Sequence, residues 1–291
     1  VGGPLLDTLT PEETLTFVST IFSAHFPGHD ARFVSAIFHQ AQTAFAGADP
    51  GYQRCDMTFH DFAHTCQATV ATARILDGHL KSGHPPALTP RDFELGVAGI
   101  VLHDIGFLKE AGDAAGTGAK YTPVHVDRSA KFAEKSLPRF GVTPDEIRLV
   151  RLAIHSTAVN VTMSQLPFRN EREHLIGCAV GTGDILGTMA APDYPERLPG
   201  LYREFVEAAA YARPPANEVA QYESAEDLLR KTRDFYHGYV RRMLEEQWGR
   251  IYRALEHHSA DGRNHYLQAI EANLERIDRI LGATKGTRKH P

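Results

Sequence analysis

A histidine followed directly by an aspartate, His103-Asp104, closes the apolar run Leu95-Gly-Val-Ala-Gly-Ile-Val-Leu. Neighbouring helical residues diverge by about 100°, so an inward histidine would normally send the next side chain to the flank. At a helix terminus both side chains converge on one ion, and Gly106 lets the chain leave closely past it. Burying a carboxylate beside an imidazole is costly unless something pairs with the charge. A divalent metal does this; otherwise His103 satisfies carbonyls and Asp104 caps the next turn. Upstream, Phe59-His-Asp-Phe-Ala-His64 sets His60 and His64 four apart, which predicts one shared helix face. Both are then ligands, or one binds metal while the other exchanges protons with substrate. Downstream stand His125, His155 within Leu152-Ala-Ile-His, and Asp184 within Val180-Gly-Thr-Gly-Asp-Ile-Leu-Gly. A core histidine and a buried cap are the alternatives for the last two.

The elements that must position these residues read as helices. Thr10-Pro-Glu-Glu, Thr89-Pro-Arg-Asp and Thr143-Pro-Asp-Glu are three copies of one start signal: threonine to cap, proline at the first helical position, acid in the first turn. They predict helices near 11–26, 90–104 and 144–157. Periodicity adds 30–46, 58–80, 124–139, 171–190, 196–212, 224–258 and 262–281. Gly and Pro clusters at 78–86, 112–118 and Arg213-Pro-Pro separate them, and no period-two alternation suggests a strand. The expected fold is all-α: one domain over 1–291, its metal core at about 55–190, with flanking helices at 10–48 and 196–282. Near the end, Arg241, Arg242, Glu245, Glu246 and Arg250 alternate in sign beside apolar Val240, Leu244, Ile251 and Leu255, which predicts a solvated face over a buried seam or a homodimer contact. The basic tail from Lys285 is expected to fray.

With 42% apolar and 23% charged residues among 291, a sizeable core is available and bulk disorder is excluded. A formal net charge of −5 argues against a general binder of nucleic-acid polymers or anionic membranes. The first residues, VGGPLLDTLT, lack a basic-then-apolar signal pattern and no apolar run suits a membrane span. Cys55, Cys66 and Cys178 are too few and too scattered for a disulfide framework or a paired-cysteine zinc site. A reducing cytoplasm is the expected location. The 16 histidines fit a metal protein, since imidazole is the commonest metal ligand.

Taken in order, His64, His103-Asp104, His125, His155 and Asp184 resemble the pattern of the HD-domain metal-dependent phosphohydrolases, in their binuclear branch. The resemblance covers residues 55–190 and implies that Asp104 bridges two divalent metals, with His64, His103 and Asp184 on one and His125 and His155 on the other. A shell of imidazole and carboxylate suits Fe, Mn, Zn, Ni, Co or Mg, with Fe or Mn favoured. Two ions about 3.5–4 Å apart activate a bridging hydroxide and stabilise the attacking and leaving oxygens of a phosphate ester. In the class I cyclic nucleotide phosphodiesterases, a related branch, a Tyr-His-Asn motif supplies the leaving-group proton. Phe59-His60-Asp61 stands in the corresponding place, which makes His60 the candidate general acid beside catalytic Asp104; Phe for Tyr and Asp for Asn are departures. The HD-GYP branch carries lysine where this chain has Phe107, and its Gly-Tyr-Pro element is missing after His155, so cyclic di-GMP is disfavoured. Lys109, Lys120 and Arg128 lie near the ligands in sequence and are candidates to hold phosphate oxygens of a small-molecule substrate, or are solubilising surface charge. The implied activity is a phosphodiesterase; the alternative is a di-iron oxygenase resembling inositol oxygenase or the phosphonate-cleaving oxygenases, which use the same six ligands.

Overall fold

Helices begin where the Thr-Pro signals put them. In the computed structural model, which describes residues 9–159, 161–212 and 222–287 and no side chains beyond 283, helices α1 (Pro11–His25), α4 (Pro90–Leu102) and α6 (Pro144–His155) each open with a reciprocal capping box: Thr10 with Glu13, Thr89 with Asp92, Thr143 with Glu146. Each box satisfies two backbone N–H groups that a helix start leaves without a partner. Around them run α2 (Arg32–Phe45), α3 (Phe62–Ser82), α5 (His125–Ser136), α7 (Glu171–Met189), α8 (Tyr194–Tyr211), α9 (Ala225–Asp234), α10 (Ala254–His258) and α11 (His265–Thr287). Among the described residues there is no sheet, only an isolated bridge between Tyr52 and Glu110. The fold is all-α, and no single described helix is long and apolar enough to cross a membrane.

One apolar cluster extends from Val18 in α1 to Ile277 in α11. At its centre α3 packs along α7. A Cβ at Gly183 would lie 2.0 Å from the Thr72 hydroxyl, and one at Gly187 would lie 2.7 Å from the Gln67 carbonyl, so these glycines set how closely α7 approaches α3. Helix α4 packs against α3, α6 and α7, and α5 against α6 and the turn Ile105–Phe107. This brings the start of α3, the ends of α4 and α6, the start of α5 and the middle of α7 to one place.

Two expected helices differ. The segment expected at 58–80 begins only at Phe62, because the Asp61 carboxylate accepts from the His64 N–H as the N-cap. His60 therefore lies in the turn before the helix and does not share a helical face with His64. The stretch expected as one helix at 224–258 is interrupted after α9: the turns at Phe235–Val240 and Met243–Gln247 widen to π-helical geometry. The chain then breaks at Gly249 and Arg250, whose φ values are 56° and 59°, before α10. Val240, Leu244 and Leu255 are buried within this chain, so most of the expected seam is spent internally. All three cysteines are free thiols. The first three residues, Arg213-Pro-Pro and the end of the tail lie outside the described residues.

Candidate metal centre

Asp104 is where the site is made. His103 caps α4 with helical dihedrals, and Asp104 then takes φ −108°, ψ 3°, the bridge region in which active-site residues often sit. That change of direction lets two neighbouring side chains converge. Both are buried, at 1% and 3% exposure. Gly106 completes the arrangement: a Cβ there would lie 2.0 Å from the His125 carbonyl oxygen, so its absence lets the first turn of α5 close over the turn. The Gly106 N–H donates to Ser129 Oγ at 2.8 Å, and Arg128 Nε donates to the Gly106 carbonyl at 2.7 Å.

Around Asp104 the electron-rich atoms crowd. His64 Nε2 lies 3.0 Å from Asp104 Oδ2, 3.4 Å from Asp184 Oδ1 and 3.2 Å from His103 Nε2. His103 Nε2 is 3.2 Å from Asp104 Oδ2 and 3.3 Å from Asp184 Oδ1. The ring tautomers are set from behind. His103 Nδ1 donates to the Ile100 carbonyl at 2.7 Å. His64 Nδ1 lies 3.1 Å from Thr188 Oγ1, whose own hydroxyl donates to the Asp184 carbonyl at 2.8 Å; the hydroxyl oxygen is thereby left to accept from His64. With both Nδ1 atoms protonated, both Nε2 lone pairs point into the cluster. Two lone pairs and two carboxylate oxygens facing each other repel unless a cation or proton lies between them. In that tautomer buried Asp104 Oδ2 has no hydrogen-bond donor.

A metal fits this donor set. Bonds of about 2.1 Å set neighbouring ligand atoms roughly 3.0 Å apart in an octahedron and about 3.4 Å in a tetrahedron, and the separations above fall in that span. His64, His103 and Asp104 present ligand atoms that are all within 4.8 Å of one another, while Asp184 Oδ1 reaches both imidazoles from α7. In the ion-free electrostatics, burial alone would lower the His103 pKa, yet the Asp104 and Asp184 charges raise it well above the usual imidazole value. Burial works against Asp104 ionisation, and the charge and hydrogen bonding of His103, joined by His64 and His60, outweigh it, holding that carboxyl well below its usual range. A divalent ion would take the place of the proton held there.

The other expected ligands are less tightly gathered. His125 Nδ1 donates to the Thr122 carbonyl at 2.7 Å, which turns Nε2 toward Asp104 Oδ1 at 3.8 Å. The two oxygens of Asp104 thus face different imidazoles, as a bridging carboxylate must. His155 ends α6, and its Nε2 lies 3.8 Å from Asp127 Oδ1 on α5. Burial lowers the pKa of both His125 and His155, favouring the neutral form that binds metal.

His60 occupies the flank of this cluster, its ring edge-on to His64 with centroids 5.6 Å apart. Its Nδ1 lies 2.6 Å from Glu204 Oε2, while Glu204 Oε1 accepts from the N–H groups of Phe59 at 2.6 Å and Thr58 at 2.8 Å. Glu204, on α8, is 5% exposed. Burial pulls the His60 pKa down, but the charges of Glu204, Asp104 and Asp184 raise it overall. The result is a partly buried His60–Glu204 pair in which the carboxylate favours the charged ring. Phe107, 1% exposed, stacks between His60 (4.7 Å, 22°) and His125 (4.2 Å, 14°), an apolar plate between the two imidazoles.

The three cations expected to hold phosphate have internal partners. Lys109 Nζ binds Asp56 Oδ2 at 2.9 Å and the Gly116 carbonyl at 2.8 Å. Lys120 Nζ binds Asp113 Oδ1 and the Ala115 carbonyl, both at 2.5 Å. Arg128 donates to the Gly106 and Leu108 carbonyls and stacks over Tyr121 at 3.7 Å. Their charge helps to hold the 106–121 loop together. Glu204 and Thr188 are the residues that sequence reasoning missed. Thr188 stands one helical turn after Asp184 and was readable as its neighbour; Glu204 carries no such signal.

A family model described as Npun_R2479-like matches residues 110–258, a span that holds His125, His155, Asp184, Thr188 and Glu204 and leaves out His60, His64, His103 and Asp104. That description names neither an activity nor a metal. No curated protein matches the chain.

Proposed function

This chain belongs to the Npun_R2479-like family, and we propose that it is a binuclear metal-dependent phosphohydrolase that cleaves small phosphodiesters, cyclic nucleotides among them. The observation that carries this reading is the partly buried His60–Glu204 pair beside the His64, His103, Asp104 and Asp184 cluster. A proton donor next to a metal-ligand set is what cleavage of an ester with a poor leaving group requires. Asp104 would hold both metals, His64, His103 and Asp184 the inner one, and His125 and His155 the outer one. Metals bound there would supply Lewis-acid polarisation of the phosphoryl group and a nucleophile at neutral pH.

The protein's own groups do the rest. Glu204 keeps His60 protonated at Nδ1 and favours the imidazolium, so that Nε2–H is the proton available to a leaving alkoxide. Phe107 keeps the two imidazoles it separates apart and their faces dry. Thr188 and Ile100 hold the inner imidazoles in the tautomer that ligates.

The test is His60→Ala, measured on two substrates with metal content followed alongside. An acid role predicts retention of two metals and a loss of about 10²–10⁴-fold on an alkyl or cyclic phosphodiester, with a much smaller loss on a nitrophenyl ester, whose leaving group needs little protonation. Equal losses on both substrates together with depleted metal would remove the acid role. One observation favours the di-iron oxygenase as a second reading: Lys109, Lys120 and Arg128 are all engaged within the chain. Two iron atoms with an O₂-sensitive spectrum and no phosphodiester turnover would decide for it.

A further inference from the structure

Helix α8 grips the turn that carries His60 from one side. Arg197, Gly200, Glu204 and Glu207 follow one another at spacings of three, four and three, which sets them along a single stripe of the helix. Gly200 lets α8 come close: a Cβ there would lie 2.9 Å from Thr58 Oγ1. On either side of it, Glu204 Oε1 accepts from the Thr58 and Phe59 N–H groups, and Arg197 Nη2 donates to the Phe59 carbonyl and, at 2.9 Å, to Asp61 Oδ1. That carbonyl belongs to the peptide joining Phe59 to His60. The guanidinium also lies over the Phe59 ring, 5.4 Å from its centroid, and Phe59 in turn meets the His60 ring edge-on at 5.0 Å. From this placement we propose that Arg197 is a positioning residue for His60: it fixes the backbone and the aromatic ring beside the proton donor, as Glu204 fixes its Nδ1. The catalytic consequence rests on the phosphohydrolase reading; the geometric one does not.

The contacts divide the work. A peptide unit is planar, so a donor on the Phe59 carbonyl and an acceptor for the Thr58 and Phe59 N–H groups leave the chain entering His60 little freedom to turn. Beyond His60, Asp61 Oδ1 accepts from Arg197 and from the His64 N–H, both at 2.9 Å, so the same guanidinium ties the first turn of α3 to α8. His60 thus hangs between two points held by one side chain. Arg197 is only 14% exposed, and it is the fourth residue of α8, near a helix start, where a cation works against the helix dipole. The stability of α8 itself gives no reason for a cation there; the 59–61 turn does. Glu207, on the same stripe, holds a different loop, accepting from Thr117 Oγ1 at 2.6 Å and from the Thr117 N–H. It supplies the comparison, because loosening α8 at Glu207 leaves the turn around His60 held.

The experiment follows the His60 ring by heteronuclear NMR of the imidazoles in the full chain, with turnover measured beside it. The His60 Nδ1–H signal is the one absent from His60→Ala. Arg197→Met keeps the apolar stem without its donors and should shift and broaden that signal, whereas Glu207→Gln should leave it where wild type has it. Arg197→Gln should move it the same way by less, and gives the same reading if the methionine variant does not fold. In turnover, Arg197→Met should lose about 10–100-fold in kcat on an alkyl phosphodiester, with kcat/KM falling equally. The loss should be much smaller on a nitrophenyl ester, and should add little to that of His60→Ala. A His60 signal unmoved in both Arg197 variants, or moved equally in Glu207→Gln, would overturn the positioning role. So would equal losses on both esters that add to those of His60→Ala, the mark of a general structural role. A displaced signal in Arg197→Met, with neither ester turned over by wild type, would keep the positioning of His60 and remove the phosphohydrolase reading instead.

Discussion

Replacing Glu204 by Gln changes one atom's chemistry at a known place. Glu204 Oε1 accepts from two backbone N–H groups and Oε2 faces His60 Nδ1 at 2.6 Å. In Glu204→Gln the remaining carbonyl oxygen keeps the two backbone donors, so the amide nitrogen falls opposite His60 and donates where the carboxylate accepted. His60 then loses the acceptor that holds its Nδ1 proton, which favours the neutral ring. A hydrogen bond to a charged group contributes about 1.5–3 kcal/mol, which at 1.36 kcal/mol per unit is roughly one to two pKa units. The His60 pKa is raised in the native protein, so an acid role makes activity fall as pH rises through it. Glu204→Gln should move that fall down by about one to two units. On the high-pH limb turnover of an alkyl phosphodiester should drop about 10–100-fold, and turnover of a nitrophenyl diester much less. The assay is kcat against pH for both esters, with metal content checked in each preparation. An unchanged high-pH limb, or equal losses on both esters, would refute the reasoning.

Three other substitutions test neighbouring parts of the account. Thr188→Val removes the acceptor for His64 Nδ1 while keeping its shape, and should weaken metal binding about 10–100-fold in a competition titration, with Thr188→Ser restoring it; undiminished affinity in the valine variant would exclude the tautomer argument. Gly106→Ala puts a methyl group 2.0 Å from the His125 carbonyl, so chemical denaturation should show a loss of about 1–3 kcal/mol and the outer metal should weaken with it. Far from the site, buried Asp77 joins α1, α3 and α10 through His25 at 2.6 Å, His258 at 2.5 Å and Lys81 at 2.7 Å. Burial pushes its carboxyl up, but His258, Lys81 and His25 bring it down to about 2. A depressed carboxyl contributes stability that is present above about pH 4 and lost as pH falls toward 2. Asp77→Asn should therefore cost about 2 kcal/mol in urea unfolding at pH 7, and the gap to wild type should close near pH 2; a gap that persists there would contradict the ion-pair account.

What the sequence carried was local. The three threonine caps act within four residues, so α1, α4 and α6 start where they were read. The same kind of signal was present at Asp61, which caps α3; the helical spacing of His60 and His64 overrode it, and His60 was drawn one turn too far into the helix. The 224–258 pattern kept its apolar rhythm through the π-helical turns, and only Gly249 and Arg250 mark the break. Side chains that meet across the chain were a different matter. His64 and His103 were singled out by type and order, but their contact depends on α4 packing against α3, and the approach of Asp184 depends on α7 closing onto α3 at Gly183 and Gly187. Glu204 stands 144 residues from His60 among other acids on an amphipathic helix, and nothing local distinguishes it. Lys109, Lys120 and Arg128 were near the ligands in sequence, yet the loop they belong to uses their charge first.

Elemental analysis of protein purified without chelators, comparing wild type with Asp104→Ala and His125→Ala, bears most directly on the metal centre. Only a carboxylate whose two oxygens face different imidazoles, as those of Asp104 do, serves both positions. The account predicts two metals in wild type, none in Asp104→Ala and one in His125→Ala. Full occupancy in Asp104→Ala would contradict it.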